Sequence, residues 1–315
     1  MAVQARIIKN LLFIRPSGSD TRTLHSLREV GRKDQERALA AALTDSLWLA
    51  GQEVSATVTL VTKDYCITPH LDYKLDNFTE KLQLFRFEQK EDLMIFIVEH
   101  IHCFTEDSSH GVILFLYSLI CSRTIERLQE DLDSSSAHLL NLNLGNFVCR
   151  QALINLLLTG RARPHVFNGT LYRDKDDSPL DRPLQGVLNR SDIGYLHWSR
   201  EEMEHSTLLQ VGSRLKTPLF PVWLVSVNGS CSVLFSLKLS LLSDWRMEHL
   251  FNLYYYNGQS SQTHTCTLTI DTHSHHWEAM SSDTDAERKF PSLEMTIRTK
   301  WAGAAINWNG TAPFY

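Results

Sequence analysis

The 315-residue chain has no continuous apolar run long enough for a membrane span. Its longest, Val112 to Cys121, falls well short of the roughly 20 residues that crossing a bilayer requires. An export signal is also missing. Met1 to Ile14 is apolar but broken by Lys9 and Asn10, and no small-residue cleavage pattern follows, so a cytoplasmic location is expected. There is no excess of positive charge: 31 Lys and Arg stand against 36 Asp and Glu, a formal net charge of -5. That balance argues against a nonspecific nucleic-acid binder, which carries a basic patch or stripe, and suits a basic protein partner. Cysteine is sparse and scattered. Cys66, Cys103, Cys121, Cys149, Cys231 and Cys266 show no close pairing, so thiols rather than a disulfide framework are expected in a reducing compartment. The sequons Asn168-Gly169-Thr170 and Asn309-Gly310-Thr311 are then expected to stay unmodified. A Gly-rich phosphate loop, H-E-x-x-H, G-x-S-x-G and C-x-x-C are all lacking, which removes motif support for nucleotide, metalloprotease, hydrolase and redox chemistry and predicts no cofactor.

What is present is a soluble-type composition, 43% hydrophobic and 21% charged, enough for a sizeable core. Met1 to Phe13 has helical spacing, with Val3, Ile7 and Leu11 beside Ile8 and Leu12, but no capping residue ahead of it. Asp34 to Ala50 is a second amphipathic helix stopped by Gly51, and Glu53 to Val61 alternates like a strand. Leu82 to Phe87 is another strand candidate. Glu91 to Phe104 and Gly111 to Leu132 predict core helices, with Asp133 to Ser136 as a breaker. Phe147 to Leu158 predicts a helix closed by Gly160, and Arg173 to Arg190, rich in Asp and Pro, a linker. The period then changes. Val222 to Val227 and Cys231 to Leu237 flank Asn228-Gly229, the dipeptide of a type I′ hairpin turn. His249 to Tyr256 and His264 to Ile270 look like a second antiparallel pair, and Leu293 to Lys300 a further strand. Helices followed by a meander of strands predict an α+β fold.

Histidines crowd the second half. His264, Cys266, His273 and His275, with His276, could supply the four converging ligands of a zinc site, but their spacing matches no standard motif and a solvated loop beside an ordinary strand is expected instead. His100, His102 and Cys103 sit in a helical pattern of Ile95, Phe96, Val98, Ile101 and Phe104, which reads as the edge of a core. Cys149 follows Gly145-Asn146 near an expected helix start, where the dipole lowers a thiol's pKa. No histidine is near it in sequence, so a buried structural cysteine is expected. No metal site is predicted.

Several segments, in order along almost the whole chain, resemble one family. They are Ala2 to Phe13 (AVQARIIKNLLF), Ala42 to Gly51 (ALTDSLWLAG), Gly111 to Leu128 (GVILFLYSLICSRTIERL), Leu153 to Asn168 (LINLLLTGRARPHVFN), Ser191 to Leu196 (SDIGYL), Gln210 to Val225 (QVGSRLKTPLFPVWLV), Ser232 to Ser236 (SVLFS) and Thr296 to Phe314 (TIRTKWAGAAINWNGTAPF). Together they are similar to the MINDY deubiquitinases, in their four-type branch. The combination of LLLTGRA, LKTPxxPxW and the RTKW…WNGTxP tail is specific where any one alone is weak. The resemblance implies a single cysteine-protease-like domain over residues 1–315, truncated at its N-terminus, and ubiquitin or polyubiquitin as partner.

It also implies a chemistry. Family members are thiol proteases cleaving isopeptide bonds of polyubiquitin, with the nucleophile in a Gly-Pro-Cys-Gly type turn at the start of the helix that continues like Ala2-Val3-Gln4-Ala5. Helix-end amides and a paired imidazole stabilise such a thiolate. On this resemblance the nucleophile position lies before Met1. The family's histidine begins the strand that continues S-V-L-F; reading back from Ser232-Val233-Leu234-Phe235, that position is Ser230. A serine hydroxyl cannot take a thiol's proton near neutrality or return it to the leaving amine. Cys231, on the opposite strand face, is no direct substitute. No catalytic residue is therefore assigned, and an inactive, ubiquitin-binding family member is expected. The rivals are an active deubiquitinase, with the nucleophile restored in a longer product and a histidine recruited from His249, His273, His275 or His276, and an interaction scaffold without ubiquitin affinity.

Overall fold

Asn228 and Gly229 both take positive φ, 48° and 80°, and turn β8 (Val222–Val227) into β9 (Ser230–Phe235) with Val227 opposite Ser230. This is the expected hairpin, since a type I′ turn needs two left-handed residues and its twist matches the strands it joins. The computed structural model describes residues 1–14, 31–62, 78–106, 109–133, 138–143, 145–173, 177–259, 262, 265–273 and 290–312. Two units are separable by their internal contacts, residues 1–30 with 165–315, and residues 31–164.

In the first unit the hairpin is the middle of a six-stranded sheet. Its order is β12 (Ala305–Asn307), β11 (Cys266–Asp271), β10 (Leu250–Tyr256), β9, β8, β7 (Gly194–Trp198). Every pair is antiparallel except β7 with β8. Alternation along the strands sends Leu196, Trp223, Val225, Leu234, Phe251, Leu253, Leu268 and Ile270 to one face, where they form a core with Leu293 and Ile297 of a helix at Ser292–Arg298. Leu293 to Lys300, expected as a strand, is therefore helical. All seven residues of that helix are buried, so no polar face marks its period. Glu294 holds it in place: its carboxylate accepts from Arg298 Nη2 at 2.8 Å and from Trp308 Nε1 at 2.7 Å. Part of the expected linker at 173–190 is structured: β5 (Thr170–Arg173) pairs antiparallel with β6 (Pro179–Gln185).

The other face of the sheet is covered by α1 (Ala2–Phe13), which packs on β8 and β9, where Val222, Leu224 and Val233 are fully or almost fully buried. Its direction follows from its ends. Lys9 pairs with Asp192 at 3.0 Å and Phe13 stacks near Phe220 just before β8. Met1 lies against Gly258, two residues beyond the Tyr256–Val233 pair. The helix thus runs antiparallel to β8, with its amino end over the Val227–Ser230 end of the hairpin.

In the second unit α2 (Arg32–Ala50) packs its alanine and leucine face against α3 (Lys90–Glu99), α5 (Gly111–Arg123) and α7 (Gln151–Thr159). The helix expected at 91–104 breaks after α3, and α4 (His102–Thr105) follows. β1 (Ala56–Val61) pairs antiparallel with β2 (Leu82–Phe87). Its other edge is satisfied by α5, because Ser118 Oγ accepts from Thr59 N at 2.8 Å and Ser122 Oγ from Thr57 N at 2.9 Å. Two serines four apart on a helix thereby pair the donors that an edge strand would otherwise leave open. The span expected as one helix at 111–132 is cut at Thr124, whose φ of 67° and ψ of 150° no helix allows, and resumes as α6 (Ile125–Asp131). Arg123 and Asp131 bridge that break with two hydrogen bonds of 2.8 and 3.0 Å, and Asp131 Oδ2 also accepts from Ala162 N at 2.8 Å. The residues expected to start a helix at 147 instead form β4 (Asn146–Cys149) against β3 (Leu140–Asn143), with α7 beginning only at Gln151.

Candidate functional site

The hairpin end under the amino end of α1 is where the candidate chemistry gathers. Ser230 is exposed at the first position of β9, opposite Val227. By alternation it leaves the sheet on the face of Ser232 and Leu234, whereas Cys231 shares the α1 face with Ser226 and Val233. The turn ahead of it is fixed from three sides. Asn228 Oδ1 accepts from Arg200 N at 2.9 Å, its Nδ2 donates to Ser292 Oγ at 2.9 Å, and its backbone N donates to Trp198 O at 3.1 Å.

A histidine that sequence reasoning missed lies on this same end. His197 of β7 stands directly opposite Ser226 of β8 in the parallel ladder, and Ser226 in turn opposite Cys231 of β9. His197 is 8% exposed. Its Nε2 lies 2.8 Å from Glu202 Oε2, on α8 (Arg200–Glu204), and the same carboxylate oxygen accepts from Leu209 N at 3.3 Å. Its Nδ1 is buried without a hydrogen-bond partner. Tyr195 completes the group. Its ring stacks 6.2 Å from that of His197, its side chain hydrogen-bonds Ser226, and burial pushes its hydroxyl pKa far up, with Cys231 and Glu202 adding to the shift. The signal was present in the sequence as a histidine inside an apolar strand, GYLHW, five residues before a glutamate.

The other histidines go elsewhere. His249 and His273 meet edge to face at 5.5 Å, beside the Leu250–Asp271 pair at the opposite end of β10 from Tyr256. Six strand residues separate the two ends, roughly 20 Å, so neither reaches the hairpin end. His264, His275 and His276 fall outside the described residues. Among the described residues no group of three or more His, Cys, Asp or Glu is placed to hold a metal ion. His100 stacks on Phe96 at 4.2 Å and Cys103 Sγ lies 3.4 Å from His102 Nε2, while burial pushes the Cys103 thiol up. Cys149, expected to be buried near a helix start, is instead exposed at the end of β4 two residues before α7, although desolvation still raises its thiol pKa. No helix among the described residues is long and apolar enough to cross a membrane.

The motif segments meet in the core of the first unit. Trp223 Nε1 donates to Lys216 O at 2.9 Å, Lys216 Nζ to Thr299 O at 2.7 Å, and Lys300 Nζ lies 4.5 Å from the Trp301 ring centroid and 3.3 Å from Glu248 Oε1. LKTP and RTKW thus lock one another through a Trp223–Trp301 edge contact of 5.5 Å. Burial lowers the pKa of both lysines.

Comparison with known proteins matches residues 1–310 to the family model "Deubiquitinating enzyme MINDY-3/4, conserved domain". The chain is 41% identical over 313 residues to the Mus musculus protein named "Probable ubiquitin carboxyl-terminal hydrolase MINDY-4", covering 99% of this chain and 40% of that one. The Homo sapiens protein of the same name is 40% identical over 312 residues, covering 99% and 39%. The "Ubiquitin carboxyl-terminal hydrolase MINDY-3 homolog" of Drosophila melanogaster is 28% identical over 235 residues, covering 73% and 40%. The chain spans about two fifths of the length of these relatives. No solved structure matches it.

Proposed function

The chain belongs to the MINDY-3/4 family of deubiquitinating enzymes, and from that premise we propose that it is a member without isopeptidase activity that binds polyubiquitin. Membership implies ubiquitin as substrate or partner. The observation that carries the reading is Ser230, which occupies the position where the resemblance expects the imidazole. Position 230 is internal to the chain, so its serine stands whatever precedes Met1. A hydroxyl there cannot serve as base and acid in thiol proteolysis. His249 and His273, rivals for that role, sit at the other end of the sheet.

The chain keeps the family's scaffold while altering its chemistry, and a retained scaffold retains surfaces. Of the acidic stretches that could meet a basic tail, Asp174 to Asp177 is described only at Asp177, which is exposed and pairs with Arg173. In Glu201 to Glu204, Glu202 turns inward to His197, which leaves Glu201 and Glu204 to face a partner.

Purified chain is expected neither to cleave proteasome-directing tetraubiquitin nor to react with a ubiquitin vinyl-type thiol probe. NMR titration at low salt is expected to show binding with a dissociation constant on the order of micromolar to hundreds of micromolar, roughly 5 to 8 kcal/mol. Longer chains should bind more tightly than monomer, since linked sites gain from effective concentration. Cleavage, or probe labelling lost on mutating the labelled cysteine, would restore the active reading. A folded sample that shows no binding near millimolar ubiquitin would leave an interaction scaffold.

A further inference from the structure

The dipeptide Asn-Gly occurs four times, as Asn168-Gly169, Asn228-Gly229, Asn257-Gly258 and Asn309-Gly310. Each is chemically labile, because a glycine amide nitrogen, unhindered by a side chain, can attack the asparagine carboxamide carbon. The fold treats the four differently. Asn168 Oδ1 accepts from Arg214 N at 3.0 Å and its Nδ2 donates to Ser213 Oγ at 2.7 Å, while the attacking nitrogen, Gly169 N, is itself tied to Val187 O at 2.8 Å. Asn228 is held at both ends of its carboxamide by Arg200 N and Ser292 Oγ. Asn309 Nδ2 donates to Thr267 O at 3.0 Å and lies 3.1 Å from Thr269 Oγ1. In all three the carboxamide nitrogen, the group that has to leave, is anchored.

Asn257, just past β10, is held the other way. Among the described residues its Nδ2 has no acceptor, and neither has Gly258 N. Only Oδ1 is engaged, accepting from Gln259 N at 2.9 Å in an Asx turn. Negative charge moves onto that oxygen as Cγ is attacked, so the donor stabilises the tetrahedral intermediate. Gln262 keeps the loop in this shape: its Oε1 accepts from Asn257 N at 2.7 Å and its Nε2 donates to Tyr255 O at 2.9 Å. Asn257 is half-buried and Gly258 exposed, so water reaches the pair.

We propose that Asn257 is a site of spontaneous deamidation, with water as the only co-reactant. Gly258 N bonds to Asn257 Cγ, the Cγ–Nδ2 bond breaks, and Nδ2 leaves as ammonia, taking up through water the proton that Gly258 N gives up. A succinimide ring remains. Water then adds to one of its two carbonyls and reopens it as aspartate or isoaspartate. The formal net charge goes from -5 to -6. The new carboxylate forms next to Gly258, where an added Cβ would meet Met1 Sδ at 2.9 Å, and so beside the amino end of α1, whose dipole favours an anion. The isoaspartyl product also lengthens the main chain by one methylene at that contact. This goes beyond the ubiquitin-binding reading and does not depend on it.

The test incubates the folded full chain at neutral to mildly alkaline pH beside the same chain unfolded in guanidinium, and follows the one-dalton gain at each asparagine by peptide mass spectrometry. In guanidinium the four pairs are expected to react at similar rates, since the following glycine is common to all. In the folded chain Asn257 is expected to keep its unfolded rate or exceed it. The other three should fall at least about tenfold below theirs, because two or more hydrogen bonds must break first. Isoaspartate is expected among the products at position 257, and Asn257→Gln should abolish the early acidic species on ion exchange. Protection of Asn257 as strong as that of the other three overturns the proposal. So does aspartate as the sole product, which would mean direct hydrolysis without attack by Gly258, or an early acidic species that persists in Asn257→Gln.

Discussion

Arg123 and Asp131 are almost fully buried and face each other with two hydrogen bonds. The pair's value lies in what it prevents. Thr124 directly after Arg123 holds a backbone conformation that is costly for a β-branched residue, and the chain keeps it because the flanking helices are tied together. Asp131 further accepts the backbone amide of Ala162, which ties the GRA triplet to α6 through its main chain. Removing one partner strands the other charge. Asp131→Asn is therefore expected to cost about 3–5 kcal/mol, read as a lower urea midpoint at unchanged slope. Arg123→Met with Asp131→Leu, which removes both charges, should recover most of that loss. A double variant as unstable as the single one would show that geometry rather than charge balance is at stake.

At the level of elements, the β8–β9 hairpin depends on two residues in different ways. Gly229 supplies a left-handed φ that a side chain resists, so Gly229→Ala is expected to cost about 1–2 kcal/mol. Asn228 tolerates its φ but also makes two side-chain hydrogen bonds that tie the turn to α8 and to the Ser292–Arg298 helix. Asn228→Ala should cost more than Gly229→Ala, and amide exchange should rise at Arg200 before it rises in the hairpin. Equal losses, with exchange confined to the turn, would mean the ties carry nothing. This hairpin was legible because turn chemistry and alternation agreed over a short span. Other elements were not, for identifiable reasons. Phe147 and Val148 are apolar yet exposed in a two-stranded ribbon, so their hydrophobicity pointed to a helix core that begins only at Gln151. Leu293, Met295 and Ile297 alternate like a strand, but every residue between them is buried too. β6 contains two prolines together with Asp181, Arg182 and Gln185, which imitates a linker. At the candidate site the S-V-L-F motif drew attention to Ser230, whereas the histidine in GYLHW gave only a weak signal. Its significance depends on β7 lying parallel beside β8, a pairing that no local pattern announces.

Across the whole molecule, burial biases the titratable groups toward their neutral forms, and the bias has a sign that stability measurements can read. Cys103, Cys121, Cys149, Cys266, Tyr195 and Tyr255 all have raised pKa values with burial as the first cause. Between its unfolded and its raised folded pKa each such group is protonated in the folded state and ionised in the unfolded one, so the unfolded state binds fewer protons and stability falls as pH rises. The thiols begin to act near pH 8.5 and the tyrosines near 10, their ordinary values. Lys216 and Lys300 work the other way. Their pKa values are lowered chiefly by burial, so in the window below the ordinary lysine value of about 10.4 the unfolded state binds more protons and stability rises with pH. Six groups oppose two, and Cys149, being exposed, weighs least. The urea midpoint is therefore expected to be flat up to about pH 8 and to decline from there, more steeply beyond pH 10, where the lysines no longer offset the tyrosines. Tyr195→Phe removes the most deeply buried of these hydroxyls and should flatten the limb above pH 10 while leaving the thiol limb in place. Cys121→Ala with Cys266→Ala should do the reverse. A midpoint that climbs between pH 8 and 10 in the unmodified chain would mean that the two lysines outweigh the thiols, and that the Lys300 contacts with Trp301 and Glu248 are held at a larger electrostatic cost than the packing around them indicates.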